Sequence, residues 1–231
     1  MKSYPSKLIN SVAMFDLPLF PLDTVLFPGM PLTLHIFEER YKQMINLCID
    51  KRQPFGVVLI ASGVAQHGTL AEPYMIGCTA QITQVQPLSQ GQMQIVAIGV
   101  ERFQILSFSN DQPYLVGKVE MLPLQQDEPT VVERNGDLLK VWVDRYLDIL
   151  QRAGQVQFDT RQLPRDTMSL AYLASYMLQV ASSQKQKLLA ADRATTMLKE
   201  LRALYRREVA LLEALLSPPE QIENQGPFSV N

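Results

Sequence analysis

The stretch LPLFPLDTVLFPGMPLTLHIFEERYKQMI, residues 17–45, decides how this chain is read, because its hydrophobic period changes partway along. The first half is stiff and extended. Pro18, Pro21, Pro28 and Pro31 each fix φ and push the preceding residue out of the helical region. Prolines inside strands also predict sheet edges or strand starts. Pro28-Gly29 is a turn signal, with Gly29 free to take positive φ. Beyond it Leu32, Leu34 and Ile36 alternate with Thr33 and His35, the period of a half-buried strand. Then the spacing turns helical: Phe37, Tyr41, Met44, Ile45 and Cys48 form one stripe of a helix predicted over 38–50. Glu38 and Glu39 suit its first turn, Lys51 and Arg52 its end, and Pro54 forbids continuation.

Downstream, PFGVVLIAS (54–62) is a continuous apolar run between Pro54 and Gly63 and predicts a buried strand, while GTLAEPY (68–74) reads as loop. MIGCTAQITQVQPL (75–88) sets Ile76, Cys78, Ala80 and Ile82 on one strand face. After a turn at 89–92, MQIVAIGVERFQILSFS (93–109) predicts a long strand bent near Gly99–Arg102, with Arg102-Phe103 as a strand anchor, and 113–124 predicts a last one. About six strands with short turns and one helix predict a small β-barrel or paired-sheet unit over 16–125, preceded by an extension over 1–15.

The polar QQDEPT (125–130) marks the passage to a helical unit over 126–217. Leu138, Trp142, Tyr146 and Ile149-Leu150 predict the apolar stripe of a first helix near 130–151. Asp166 is the expected N-cap of TMSLAYLASYMLQVA, apolar nearly all round and so the expected central helix. A short helix over SSQKQKLLAA and a long one over 193–216, capped by Asp192, complete a bundle packed on itself. Residues 218–231 open with Pro218-Pro219 and have little to bury, so a disordered tail is expected.

Chemistry is hard to find. A net charge of −2 disfavours nucleic acid, whose binders carry a basic excess. No apolar run approaches the length of a membrane span, and no signal-peptide core is present, so the cytoplasm is the expected compartment. Cys48 and Cys78 are not spaced for a redox or metal motif and read as small buried hydrophobes. His35 and His67 would need the cysteines from separate segments to hold zinc. Gly117-Lys118 fails the phosphate-loop pattern, and no Gly-x-Ser-x-Gly elbow occurs. No catalytic, metal-binding or cofactor-binding residue is predicted.

The opening stretch, read as LPLFPLDTVLFPG…PL.IFE.RY..M, resembles the start of the Lon protease N-terminal domain, in the form found in small stand-alone bacterial proteins. QPFGVVLI (53–60), AEPYMIGCTAQI (71–82), GVERFQIL (99–106) and KQKLLAADRATTMLKELRAL (185–204) resemble the same family in the same order, so the resemblance spans 17–216. It implies an α+β fold, a PUA-like β pseudo-barrel with one helix followed by a C-terminal helical bundle. In full Lon this domain precedes an ATPase and a serine-lysine protease and helps recognise polypeptide substrates. Both catalytic parts are expected to be missing here, which implies recognition without catalysis. The expected partner is unfolded polypeptide or another protein, with no membrane and with self-association left open. Met30, Phe37, Glu39, Arg40 and Gln43 are the expected polypeptide-binding residues; turn-setting and packing of helix on barrel are the competing roles for Phe27, Pro28, Gly29, Phe37 and Tyr41. An RNA-binding PUA-like protein and an uncharacterised hydrolase are the alternatives.

Overall fold

The computed structural model describes residues 14–62, 72–125, 127–154 and 163–216. The expected disordered tail, His67, and all of the N-terminal extension but Met14 and Phe15 lie outside them. The elements are β1 (Phe15–Leu22), β2 (Pro31–Ile36), α1 (Glu39–Lys51), β3 (Phe55–Ser62), β4 (Glu72–Pro73), β5 (Ile76–Pro87), β6 (Met93–Ser109), β7 (Leu115–Met121), α2 (Pro129–Arg152), α3 (Thr167–Met177), α4 (Ser182–Leu189) and α5 (Ala194–Leu216).

Strand order β1-β7-β6-β5-β3 returns to β1 through a parallel β1–β3 pairing, so the sheet closes into a pseudo-barrel. β2 adds to the side of β6, and β4 to the end of β3, within the stretch expected to be loop. β1 is thus paired on both sides, unlike the edge that its prolines predict. The ladders are offset: Pro18 faces Val116 of β7 outside the β3 register, and Pro21 faces Val58 of β3 outside the β7 register. Each proline therefore lies where only one side of β1 needs donors.

The barrel is filled, as small barrels are. Leu17, Leu19, Val58, Phe103, Ile105, Leu115 and Val119 form its interior. Gly56 makes room for them, since a Cβ there would stand 2.7 Å from both Leu19 and Phe103. Pro28 and Gly29 occupy the centre of a type II turn, with Gly29 at φ +76° and the Met30 N–H donating to the Phe27 carbonyl at 3.1 Å. The bend in β6 is a bulge: Arg102 lies opposite Cys78 and Gly99 opposite Ala80, and the Glu101 N–H donates to the Thr79 hydroxyl at 3.1 Å.

A second buried cluster runs unbroken from Phe20, Tyr41, Ile45 and Phe55 into Leu139, Val143, Leu201 and Tyr205. The helices therefore share a core with the barrel and are not a bundle packed only on itself. On α2 the buried stripe is Leu139, Val143, Tyr146, Leu147 and Ile149: Tyr146 and Ile149 fall as expected, while Leu139 and Val143 are buried in place of Leu138 and Trp142, and Leu138 is exposed. On α5 the buried stripe is Ala194, Met197, Leu198, Leu201, Tyr205 and Val209, and Leu215 is 80% exposed. Tyr205 links three helices: its ring meets Tyr146 edge-on at 5.2 Å, and its hydroxyl donates to the Ala174 carbonyl at 2.9 Å.

Asp166 does cap α3, accepting the Ser169 N–H at 2.8 Å. The expected Asp192 cap of α5 is supplied instead by Asp127, which accepts the Thr195 N–H at 2.9 Å and pairs with Arg193 at 3.2 Å. A cap brought from the barrel–bundle connection leaves no local sequence signal. The backbone hydrogen bond from Ser169 holds the Asp166 carboxyl below its ordinary value. A carboxyl depressed on folding stabilises above its unfolded value, near about pH 4, and loses that contribution as pH falls through the lower folded value. Asp166→Ala should cost about 1 kcal/mol in urea unfolding at pH 7. The wild-type advantage should shrink as the same titration is carried below the unfolded value, and should be lost once pH passes below the folded one.

Candidate functional site

β1 and β3 run side by side from Leu19/Gly56 to Leu22/Leu59 and then part. Between the diverging strands lies a groove of about 660 Å³. Its apolar surface comes from Phe20 and Leu22 of β1, Ile36 of β2, Tyr41 of α1, and Leu59 and Ile60 of β3. Phe37 and Tyr74, 55% and 36% exposed, stand at its mouth. Ser182 and Ser183 of α4 close the bundle side, where the Ser182 hydroxyl donates to the Asp23 carbonyl at 2.8 Å.

The fold places these groups for identifiable reasons. The helical stripe that begins at Phe37 buries Tyr41, whose ring stacks on Phe20 at 4.0 Å and 11°. That stack ties the start of α1 to β1, leaving Phe37, one turn earlier, outside the packed stripe. Glu38 also lines the groove; it accepts from Arg40 at 2.9 Å, and the Arg40 guanidinium lies 4.6 Å from the Tyr41 ring centre. Among the described residues the charged members of the lining are Asp23 and Glu38, with no lysine or arginine. An apolar floor with a polar, acidic rim suits a chain of mixed character more than a compact polar metabolite.

Of the five expected binding residues, Phe37 alone lines the groove. Glu39 and Gln43 are exposed on α1, with Glu39 paired to Lys42 at 2.7 Å, and Arg40 is half-buried against Glu38. Met30 is only 9% exposed and belongs to the core behind the turn. Pro28 borders a separate hollow with Arg102 and Tyr172. Asp23, Ile60, Tyr74 and Ser182 were not foreseen. They come from distant segments, and only strand pairing and the seating of α4 against the barrel bring them together.

The groove holds serine, histidine and carboxylate side chains, the types a hydrolase would need, but it does not link them. The His35 Nε2 meets the Gln92 side chain at 2.9 Å, and Ser182 bonds the backbone, so no serine–imidazole–carboxylate relay is assembled among the described residues. Burial pushes the Cys48 thiol up to about 11 and the Cys78 thiol up to about 12, so neither is a nucleophile at neutral pH. Among the described residues no group of three or more His, Cys, Asp or Glu could hold a metal ion, and no helix is long and apolar enough to cross a membrane. One basic-aromatic cluster exists that the sequence did not reveal: Arg145 and Arg206 lie 5.6 and 5.5 Å from the Trp142 ring centre. Glu213 pairs with Arg145 at 2.7 Å and offsets part of its charge.

With this geometry in view, comparison with known proteins identifies the family. Residues 16–207 match the ATP-dependent protease La (LON) substrate-binding domain, and the chain belongs to that family. It is similar to the Lon protease of Parabacteroides distasonis, 24% identical over 85% of this chain and 24% of the relative. Against the Lon protease of Paraburkholderia phytofirmans it is 27% identical over 78% of this chain and 23% of the relative. The chain thus spans about a quarter of the length of the curated relatives it matches. Its fold is similar to the crystal structure of a Lon N-terminal domain protein from Xanthomonas campestris, with a TM-score of 0.59, 24% identity, and 82% and 98% of the two chains covered. It is likewise similar to the N-terminal domain of the Mycobacterium avium complex Lon protease, with a TM-score of 0.61, 19% identity, and 83% and 98% covered.

Proposed function

We propose that this chain is a non-enzymatic polypeptide-recognition protein that holds unfolded segments of other proteins in the groove between β1, β3, α1 and α4. Membership of a substrate-binding domain family supports a recognition role. The observation that carries the assignment to this surface is the apolar groove with two exposed aromatic rings, Phe37 and Tyr74, at its mouth. Exposed rings beside an apolar floor are poised to bury area on a partner, and such aromatics dominate binding energy where they do.

The test uses a permanently unfolded, fluorescently labelled protein and binding by anisotropy. Phe37→Ala with Tyr74→Ala should weaken binding about tenfold or more, because each truncation of an aromatic anchor costs on the order of 1–2 kcal/mol. Both rings are exposed in the free protein, so urea unfolding of the double variant should stay close to wild type. Unchanged affinity would move the recognition surface elsewhere. Glu39→Ala, Arg40→Ala and Gln43→Ala together test the outer face of α1 in the same assay.

A further inference from the structure

We infer that the open edge of β2 takes an extended segment of unfolded polypeptide through the main chain of Thr33 and His35, and selects segments with apolar side chains at alternate positions. This deepens the reading of the groove as the recognition surface and rests on it, since His35, Ile36 and Phe37 at the end of β2 form one groove wall. The ladder fixes which backbone groups are free. β2 pairs with β6 alone, in one unbroken register from Pro31↔Ile98 to Ile36↔Met93. At the turn before β2, the Gly29 N–H donates to the Gly99 carbonyl at 2.8 Å and the Gly99 N–H to the Met30 carbonyl at 2.9 Å. Gly99 thus bonds toward β2, and alternation along an antiparallel ladder makes Leu32↔Ala97, Leu34↔Ile95 and Ile36↔Met93 the pairs that exchange bonds. The N–H and C=O of Thr33 and His35 then point to the opposite side. Among the described residues no strand and no backbone hydrogen bond meets them there.

Strand edges are ordinarily blunted by charge, proline or bulges. β5 beyond Ala80, on the far side of β6, is bulged between Ile82 and Gln84 and ends at Pro87. β2 has its one proline at its start, no bulge, and no Lys, Arg, Asp or Glu from Pro31 to Phe37. Its side chains set the pattern of the partner. Leu32 and Leu34 share a face with buried Ile36 and pack on the shared core, yet stay half-buried, while Thr33 and His35 are exposed on the other face. Residues directly opposite across a strand pair share a face. Every second side chain of an added segment would therefore extend the cover over Leu32, Leu34 and Ile36, and those between would face solvent beside Thr33 and His35. An uncharged edge complements an uncharged segment, since a charge placed beside Leu34 would lose water and gain no partner. Unfolded chains supply such segments, whereas in folded proteins strands are already paired.

The experiment titrates the full chain with a short labelled peptide alternating leucine and threonine, and with one of the same composition whose leucines fall at helical spacing. The alternating peptide should bind about tenfold or more tighter. Versions of it carrying one backbone N-methyl group at each position in turn lose a main-chain donor, so binding should fall about tenfold at alternate positions and little at those between. Thr33→Pro removes an N–H that the β6 ladder does not use. Its urea unfolding should stay close to wild type while peptide affinity falls about tenfold or more. Equal binding by every N-methylated peptide, or full affinity in Thr33→Pro, overturns the added strand; the N-methyl series decides alone if that variant fails to fold. Equal binding by the reordered peptide overturns the alternating preference. A dimer of the free chain that Thr33→Pro dissociates gives the edge to a second copy and overturns the choice of partner. Each of these results leaves the groove reading standing if unfolded protein still binds in a Phe37- and Tyr74-dependent way. Loss of binding by peptides and unfolded protein alike overturns both.

Discussion

Arg102→Ala is expected to lower stability by about 4 kcal/mol and to break the cooperativity between barrel and helices. Arg102 is 4% exposed, on the β6 bulge. Phe103 points into the barrel, so Arg102, its neighbour on the strand, points out toward the bundle. Its guanidinium donates to the Leu122 carbonyl at 3.1 and 3.2 Å and to the Leu189 and Ala191 carbonyls at 2.6 Å each. Truncation would leave three carbonyls without this donor and a cavity where the side chain lay, and each carbonyl left unsatisfied costs about 1–3 kcal/mol. Burial also lowers the guanidinium pKa from its ordinary value, but it stays charged at neutral pH, and the carbonyl oxygens are what compensate it. Trp142, the single tryptophan, lies on α2 and reports the bundle. In urea, its fluorescence transition and the far-UV circular dichroism transition should coincide for wild type and separate for Arg102→Ala. Arg102→Lys should recover only part of the loss, since an ammonium cannot span three carbonyls on two segments as the planar fork does. Coincident transitions with a loss below about 1 kcal/mol would show that the shared apolar core joins the two parts unaided.

Gly99→Ala should be destabilising by about 3 kcal/mol or more. The Phe27–Met30 turn docks on Gly99 by two hydrogen bonds, from the Gly29 N–H to its carbonyl at 2.8 Å and from its N–H to the Met30 carbonyl at 2.9 Å. A Cβ on Gly99 would stand 2.2 Å from the Phe27 carbonyl oxygen, a backbone atom that cannot rotate away. The turn would have to lift, breaking both bonds and uncovering Phe27, which is fully buried. Gly29→Ala separates this clash from simple backbone preference. Gly29 needs positive φ but has nothing within 4 Å of a built Cβ, so the substitution should cost only about 1 kcal/mol. Comparable losses for the two variants in urea unfolding would rule out the close approach as the cause.

These two positions mark where sequence reading stops. The turn at Pro28-Gly29, the strand-to-helix change after Ile36 and the bend near Gly99 were legible, because each is a local consequence of proline, glycine or spacing. On α2 Tyr146 and Ile149 were legible but the head of the stripe was not, because Leu138 and Leu139 fit helical periodicity equally and only the facing helix distinguishes them. The prolines of β1 pointed to an edge, and the structure avoids that cost by offsetting two ladders. Of the groove lining, Phe37 was already named in the sequence reading, though as a stripe residue it was expected to pack, whereas Asp23, Ile60, Tyr74 and Ser182 were not named.

By itself the sequence determined the kinds of element and their order, since hydrophobic period, turn residues and the Asp166 cap act within a few residues of the chain. Closure of the barrel through β1–β3, the barrel–bundle seam held by Arg102, and the groove where two strands part were decided only by tertiary structure. The reason is physical: a hydrogen bond between residues 102 and 189, or a wall shared by residues 23, 60 and 182, depends on which strands and helices lie side by side, and no local propensity encodes that adjacency.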